Sequence, residues 1–217
     1  MRETLTAFCR RTGREALLDQ WCGEKTLPLT PETVSCGSSR KVWWSCEKGH
    51  TWQADVFSRA KGGTGCPYCA GKRPVPGQTD LAARFPELAA EWDSARNAPL
   101  TPEQVLPGSH RLVWWVCGKG HSWQATIKSR AEGCGCPVCA NREVRPGEND
   151  LATTHPDLAR QWHPTRNGAL TPRAVTAGSH RKVWWQCERG HLWRATVLSR
   201  AGSGCGCPVC TGRVVLP

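Results

Sequence analysis

Three copies of one cysteine–histidine pattern constrain this 217-residue chain more than anything else in it. Val183 to Cys210 reads VWWQCERGHLWRATVLSRAGSGCGCPVC, Val113 to Cys139 reads VWWVCGKGHSWQATIKSRAEGCGCPVC, and Val42 to Cys69 reads VWWSCEKGHTWQADVFSRAKGGTGCPYC. Each copy carries a Cys-x3-His pair followed by a Cys-Pro-x-Cys pair. Their first cysteines, Cys46, Cys117 and Cys187, lie 71 and 70 residues apart. The chain therefore divides into repeats at 1–75, 76–145 and 146–217. A unit of about 70 residues buries little core of its own, and chains of that size commonly lean on a metal.

The residue types point to zinc. Zinc(II) favours four tetrahedral ligands drawn from thiolate and imidazole, and closed Cys3His sites are structural rather than catalytic as a rule. The expected ligands are Cys46, His50, Cys66 and Cys69; Cys117, His121, Cys136 and Cys139; and Cys187, His191, Cys207 and Cys210. That is three ions, one per repeat, each contributing to folding free energy. Glycine precedes each histidine (Gly49, Gly120, Gly190), where a tight knuckle calls for positive φ. The proline of each Cys-Pro-x-Cys suits the first turn of a short helix. Thiolates at such a helix start would gain from its free N–H groups.

Fourteen cysteines also admit a disulfide-rich secreted protein. Against this, residues 1–20 hold no apolar signal-peptide core, and no run of about 20 apolar residues suits a membrane span. The five cysteines outside the pattern (Cys9, Cys22, Cys36, Cys134, Cys205) are odd in number and follow no repeated scheme. A reducing cytoplasm is the expected setting. Cys134 and Cys205 stand two residues before the second ligand pair, where repeat 1 has Thr64, so they read as small buried or reserve thiols. His110 and His180 align with Ser39, and His163 with Cys22 and Asp93, so none recurs in all three repeats as a ligand would, and they read as surface or linker residues.

Along each repeat, a leader precedes the zinc unit. Repeats 2 and 3 open with DLAARFPELAAEWD and DLATTHPDLARQWH, while repeat 1 keeps only ALLDQWC, a worn copy. Asp80 and Asp150 are expected N-caps, and Pro86 and Pro156 are expected to split each leader into two short helices. Leu-Thr-Pro at 29–31, 100–102 and 170–172 predicts one helical turn. Val-Trp-Trp predicts a strand into the knuckle. Beyond the histidine, alternation predicts a second strand with Trp193, Ala195, Val197 and Ser199 on one face, and likewise in repeats 1 and 2. Linkers 71–80 and 141–150, rich in proline and glycine, predict joints between units.

Leader, Leu-Thr-Pro, Gly-Ser, Val-Trp-Trp-x-Cys-x2-Gly-His-x-Trp and Gly-Cys-Pro-x-Cys together resemble a tandem "probable zinc-ribbon" family of bacterial proteins. The likeness covers nearly the whole chain beyond its first fifteen residues. It implies treble-clef fingers, so the expected fold class is small α+β: three tandem treble-clef or zinc-ribbon fingers, each with a short helical leader and a β-hairpin. Some members of that family carry nuclease domains like those of very-short-patch repair, which implies nucleic-acid binding by association. No such nuclease is expected within these residues.

Of twelve tryptophans, Trp21, Trp92 and Trp162 on the leader and Trp52, Trp123 and Trp193 on the second strand read as core. One of each adjacent pair (Trp43/Trp44, Trp114/Trp115, Trp184/Trp185) must face away from the hairpin core. It is either covered by the leader or a platform for bases or a partner. The formal charge of +11 divides as +5, +1 and +5 over the repeats, and about +8 remains once three Cys3His centres are filled. Basic residues recur at four places: Lys25/Arg96/Arg166 after the leader, Arg40/Arg111/Arg181 before the first strand, Lys48/Lys119/Arg189 at the knuckle tip, and Arg59/Arg130/Arg200 at the end of the second strand. Three such faces in series predict phosphate contacts and a non-enzymatic nucleic-acid-binding array, DNA before RNA. A protein-interaction scaffold using exposed tryptophans is the alternative. No carboxylate recurs beside the histidines as a general base would.

Overall fold

The computed structural model describes residues 2–214. It divides into two compact units, Met1–Ala90 with Asn97–Ser109, and Glu91–Arg96 with His110–Pro217.

In the first unit, repeat 1 opens with helix α1 (Leu5–Thr12), capped by Thr4, whose side chain accepts from the Ala7 N–H. A 3-10 turn (Glu15–Leu17) and the one-turn helix α2 (Gly23–Thr26) follow. Strands β1 (Lys41–Ser45) and β2 (Thr51–Asp55) pair antiparallel, with Trp44 opposite Trp52 and Trp43 opposite Gln53. Helix α3 (Val56–Ala60) closes the repeat. The core gathers Leu5, Phe8, Val34, Val42, Trp44, Trp52 and Val56. Trp44 is fully buried, donates its Nε1–H to the Ala54 carbonyl at 3.0 Å, and takes the edge of Trp21 at 5.5 Å and 81°. Burying one such indole contributes about 4 kcal/mol.

The repeat 1 leader is not worn in the way its sequence suggests. Thr4-Leu5 stands where repeats 2 and 3 have Asp80-Leu81 and Asp150-Leu151, and the three leucine N–H groups donate to Val34, Val105 and Val175 at 2.8–2.9 Å. A single eight-residue helix without an internal proline replaces the split pair, which hid the match.

The split leaders form as expected. Asp80 accepts from the Ala83 N–H to start α4 (Leu81–Arg84), and Pro86 restarts the chain as α5 (Pro86–Ala90). A further turn, α6 (Ser94–Asn97), precedes the Pro102–Gln104 3-10 turn, where the Thr101 N–H donates to Gln104 Oε1. The second unit contains β3 (Leu112–Val116), β4 (Ser122–Thr126) and α7 (Ile127–Ala131). It then runs through α8 (Leu151–Thr154), α9 (Pro156–Arg160), β5 (Lys182–Gln186), β6 (Leu192–Thr196) and α10 (Val197–Ala201). The registers repeat that of β1–β2, with Trp115 opposite Trp123 and Trp185 opposite Trp193. Trp115 and Trp185 are fully buried and meet Trp92 and Trp162 edge-on at 5.5 and 5.4 Å.

Two local expectations are corrected. The second strand does not run on through Ser199. It stops at Asp55, Thr126 and Thr196, whose side chains accept from the N–H of Ser58, Ser129 and Ser199 and so start α3, α7 and α10. The Cys-Pro-x-Cys segment makes one turn and no helix. The Ala70 N–H donates to the Cys66 carbonyl at 3.0 Å, and the chain then leaves through left-handed residues at Gly71, Asn141 and Gly212.

Candidate metal centres

In every repeat the β-hairpin turn offers one cysteine and the histidine, and the Cys-Pro-x-Cys turn offers two more cysteines. Gly49, Gly120 and Gly190 have φ of +78°, +81° and +81°, so the knuckle uses the freedom expected of it. The Cys46 N–H donates to the His50 carbonyl and the Gly49 N–H to the Cys46 carbonyl, which closes the turn.

The donor atoms then converge. Around His50 Nδ1 stand the sulfurs of Cys46, Cys66 and Cys69 at 3.5, 3.6 and 3.4 Å, with Cys46 and Cys69 sulfurs 3.8 Å apart. The His121 centre gives 3.4, 3.5 and 3.3 Å, and the His191 centre 3.5, 3.7 and 3.3 Å. Bonds of about 2.3 Å to sulfur and 2.0–2.1 Å to nitrogen at tetrahedral angles require edges of about 3.8 Å between sulfurs and 3.5–3.6 Å between sulfur and nitrogen. Observed and required edges agree to a few tenths of an ångström. Three Cys3His sets, one per repeat, therefore fit three zinc ions. All fourteen cysteines are free of disulfides, and the five outside the pattern lie outside these clusters. Cys134 is exposed rather than buried.

The thiols within a set are unequal without metal. Burial opposes ionisation of Cys46, but the N–H groups of His50 and Lys48 and the neighbouring thiols outweigh it and draw the group down to about 7. Cys117 falls to about 7 in the same way, and Cys187 is also lowered. Burial and adjacent sulfurs push Cys69, Cys139 and Cys210 up to about 11.

A family model described as "Probable Treble clef zinc finger domain" matches residues 17–72, 88–142 and 158–213. The chain belongs to this family. Each match spans one treble-clef finger with its metal centre. No curated protein matches the chain.

The basic residues fall into two groups. Lys25, Arg96 and Arg166, Arg40, Arg111 and Arg181, and Lys48, Lys119 and Arg189 are exposed. Arg59, Arg130 and Arg200, expected among the phosphate contacts, are instead interior, only 4–5% exposed. Each belongs to the short helix after β2, β4 or β6, and its guanidinium lies between two indoles. Arg59 lies 4.9 Å from the Trp44 ring centre and 5.2 Å from that of Trp52. Arg130 and Arg200 lie 5.1–5.2 Å from Trp115 and Trp123, and from Trp185 and Trp193. One terminal nitrogen donates to the carbonyl of Thr64, Cys134 or Cys205, and the other to the side chain of Gln20, Glu91 or Gln161. These arginines fasten the loop before Cys66, Cys136 and Cys207 to the leader. The positions of Thr64, Cys134 and Cys205 thus serve through their carbonyls. A signal was present: a glutamine or glutamate precedes the leader tryptophan 39 positions before the arginine in all three repeats.

The outward tryptophans are half-buried. Lys25 covers Trp43 at 5.2 Å, Arg96 covers Trp114 at 4.6 Å, and Arg166 covers Trp184 at 4.9 Å. His163 is a cap rather than a bare linker residue, since its Nδ1 accepts from the Thr165 and Arg166 N–H groups. His110 and His180 are exposed. Among the described residues no helix is long and apolar enough to cross a membrane.

Proposed function

We propose that the chain is a non-enzymatic nucleic-acid-binding array, with DNA as its first target, whose contact face in each repeat is the outer side of the hairpin. The reading rests on one observation: the same half-buried tryptophan with an exposed cation over its ring, repeated as Trp43–Lys25, Trp114–Arg96 and Trp184–Arg166. An indole face can stack on a base, and the cation beside it meets the phosphate. Trp184 has a second cation, Arg194, at 5.7 Å. A donor set that fills a tetrahedron leaves no position for a reacting water, which argues against zinc catalysis.

The test compares duplex DNA, single-stranded DNA and RNA across a salt series, with the zinc-loaded chain and with Trp43→Ala, Trp114→Ala and Trp184→Ala combined. Binding that weakens steeply with salt, and a loss of about 1–3 kcal/mol per stacked base in the variant, is the expected result. Salt-insensitive or absent binding refutes the reading. Leu112 and Leu192, 56% and 37% exposed on the same outward strand faces, favour a second reading in which a protein docks there. Nuclease-resistant capture of one partner, lost in Leu112→Lys, would select it.

A further inference from the structure

The three metal centres share their ligands but differ behind the histidine. His121 turns Nδ1 to the cysteine sulfurs, and its Nε2 lies 2.5 Å from Glu148 Oε2. It is 6% exposed. Among the described residues, neither His50 nor His191 has a carboxylate there. His50 instead has the Tyr68 ring at 5.2 Å, and Gln78 holds the position that corresponds to Glu148.

Glu148 belongs to the linker between repeats 2 and 3, which is tied back onto the middle finger. Asn149 Nδ2 donates to the Val138 carbonyl at 3.0 Å and to the Glu143 carbonyl at 2.8 Å, while its Oδ1 accepts from the Arg145 N–H at 2.7 Å. Val138 lies inside the Cys136–Cys139 ligand pair. The next residue, Asp150, accepts from the Gly147 N–H at 2.5 Å and caps α8, the first helix of repeat 3. Arg145 Nη1 approaches Glu148 at 3.5 Å. In the preceding linker, Thr79 takes the place of Asn149, and its hydroxyl accepts only locally, from the Val75 N–H at 2.7 Å.

We propose that Glu148 makes the middle zinc centre a joint. The ion holds His121, His121 holds Glu148, and Glu148 with Asn149 holds the linker in the form that starts repeat 3. An Nε2–H directed at a carboxylate fixes the imidazole tautomer and raises the basicity of the Nδ1 that faces the metal. The coupling is reciprocal: an ordered linker strengthens retention of the ion, and the ion strengthens order in the linker by the same factor. Glu148 is a positioning residue, and the inference stands apart from any nucleic-acid reading.

Chelator competition on the full-length zinc-loaded chain tests one direction, with released zinc followed by a metallochromic dye and the vacated site identified by alkylation of Cys117, Cys136 and Cys139. For Glu148→Ala, one of the three ions should leave at 10–100-fold lower chelator concentration, from repeat 2 alone. Glu148→Gln should fall between that variant and the parent, and Gln78→Ala should change nothing. The reverse direction uses His121→Cys, which keeps four ligands but loses Nε2. Native mass spectrometry should still count three zinc ions, while amide exchange across 145–149 accelerates. Unchanged release in Glu148→Ala, or unchanged exchange in a fully loaded His121→Cys, overturns the proposal.

Discussion

Replacing Arg59 by methionine separates an interior role from a surface one. The guanidinium donates to the Thr64 carbonyl and to Gln20 Oε1, and both bonds vanish in the variant. Charge-assisted bonds contribute about 1.5–3 kcal/mol each, and two enclosing indoles about 0.5–2 kcal/mol each. Against this, the variant no longer desolvates a cation, which recovers several kcal/mol, and methionine keeps an apolar stem between Trp44 and Trp52. The expected net loss is about 3 kcal/mol. Thr64 lies two residues before Cys66, so loosening its loop should also weaken zinc retention in repeat 1. Urea unfolding at saturating zinc, followed by hydrogen exchange in peptides covering 41–69, reads the loss directly. Arg59→Lys keeps the charge but cannot fork to two acceptors, and should lose nearly as much. A loss below about 1 kcal/mol together with weakened polyanion binding would refute the interior assignment and restore the surface one.

Zinc uptake should release protons, because Cys69 at about 11 is still protonated at neutral pH while Cys46 at about 7 is half ionised. The bound form needs thiolates, so affinity is present at high pH and lost as pH falls. Competition titrations at pH 6, 7 and 8 should show a drop of at least about tenfold per unit, and chelation should remove the cooperative unfolding transition. Asp80→Ala removes the side chain that accepts from the Ala83 N–H at 2.8 Å and should cost about 1 kcal/mol, read as faster amide exchange in α4.

What could be read from the sequence followed from strict spacing. Ligand pairs, knuckle glycines, aspartate caps at 80 and 150 and the proline breaks are each fixed by two or three neighbouring residues, so local chemistry suffices. What could not be read depended on contacts far along the chain. Arg59 looks like any strand-end cation until Gln20, Trp44 and Trp52 are brought around it. Thr196 reads as one more alternating strand residue until its hydroxyl meets the Ser199 N–H. Repeat 1 lacks the proline that marks its sister leaders, so the Thr4 cap and the Leu5–Val34 backbone bond, rather than the sequence pattern, identify α1. Glu148 lies 27 residues from His121 and in a linker, where nothing local marks it.

Burial of Arg59, Arg130 and Arg200 changes what the net charge means. Residues 1–75 carry 12 basic and 7 acidic groups, residues 76–145 carry 8 and 7, and residues 146–217 carry 9 and 4. A filled Cys3His centre adds −1 to each. The buried arginine of the same repeat offsets that charge from inside, so the charge left to the surface is about +4, 0 and +4. In the middle repeat, Glu91 also pairs with Arg130, Glu132 with Lys128 and Asp93 with Arg96. Salt-dependent affinity should therefore come from the terminal repeats. Lys48→Ala and Arg189→Ala should each reduce the slope of log affinity against log salt by about 1, and Lys119→Ala by much less. Measured slopes that fall equally in all three variants would show that local contacts, rather than the charge each finger retains after metal loading, set the binding.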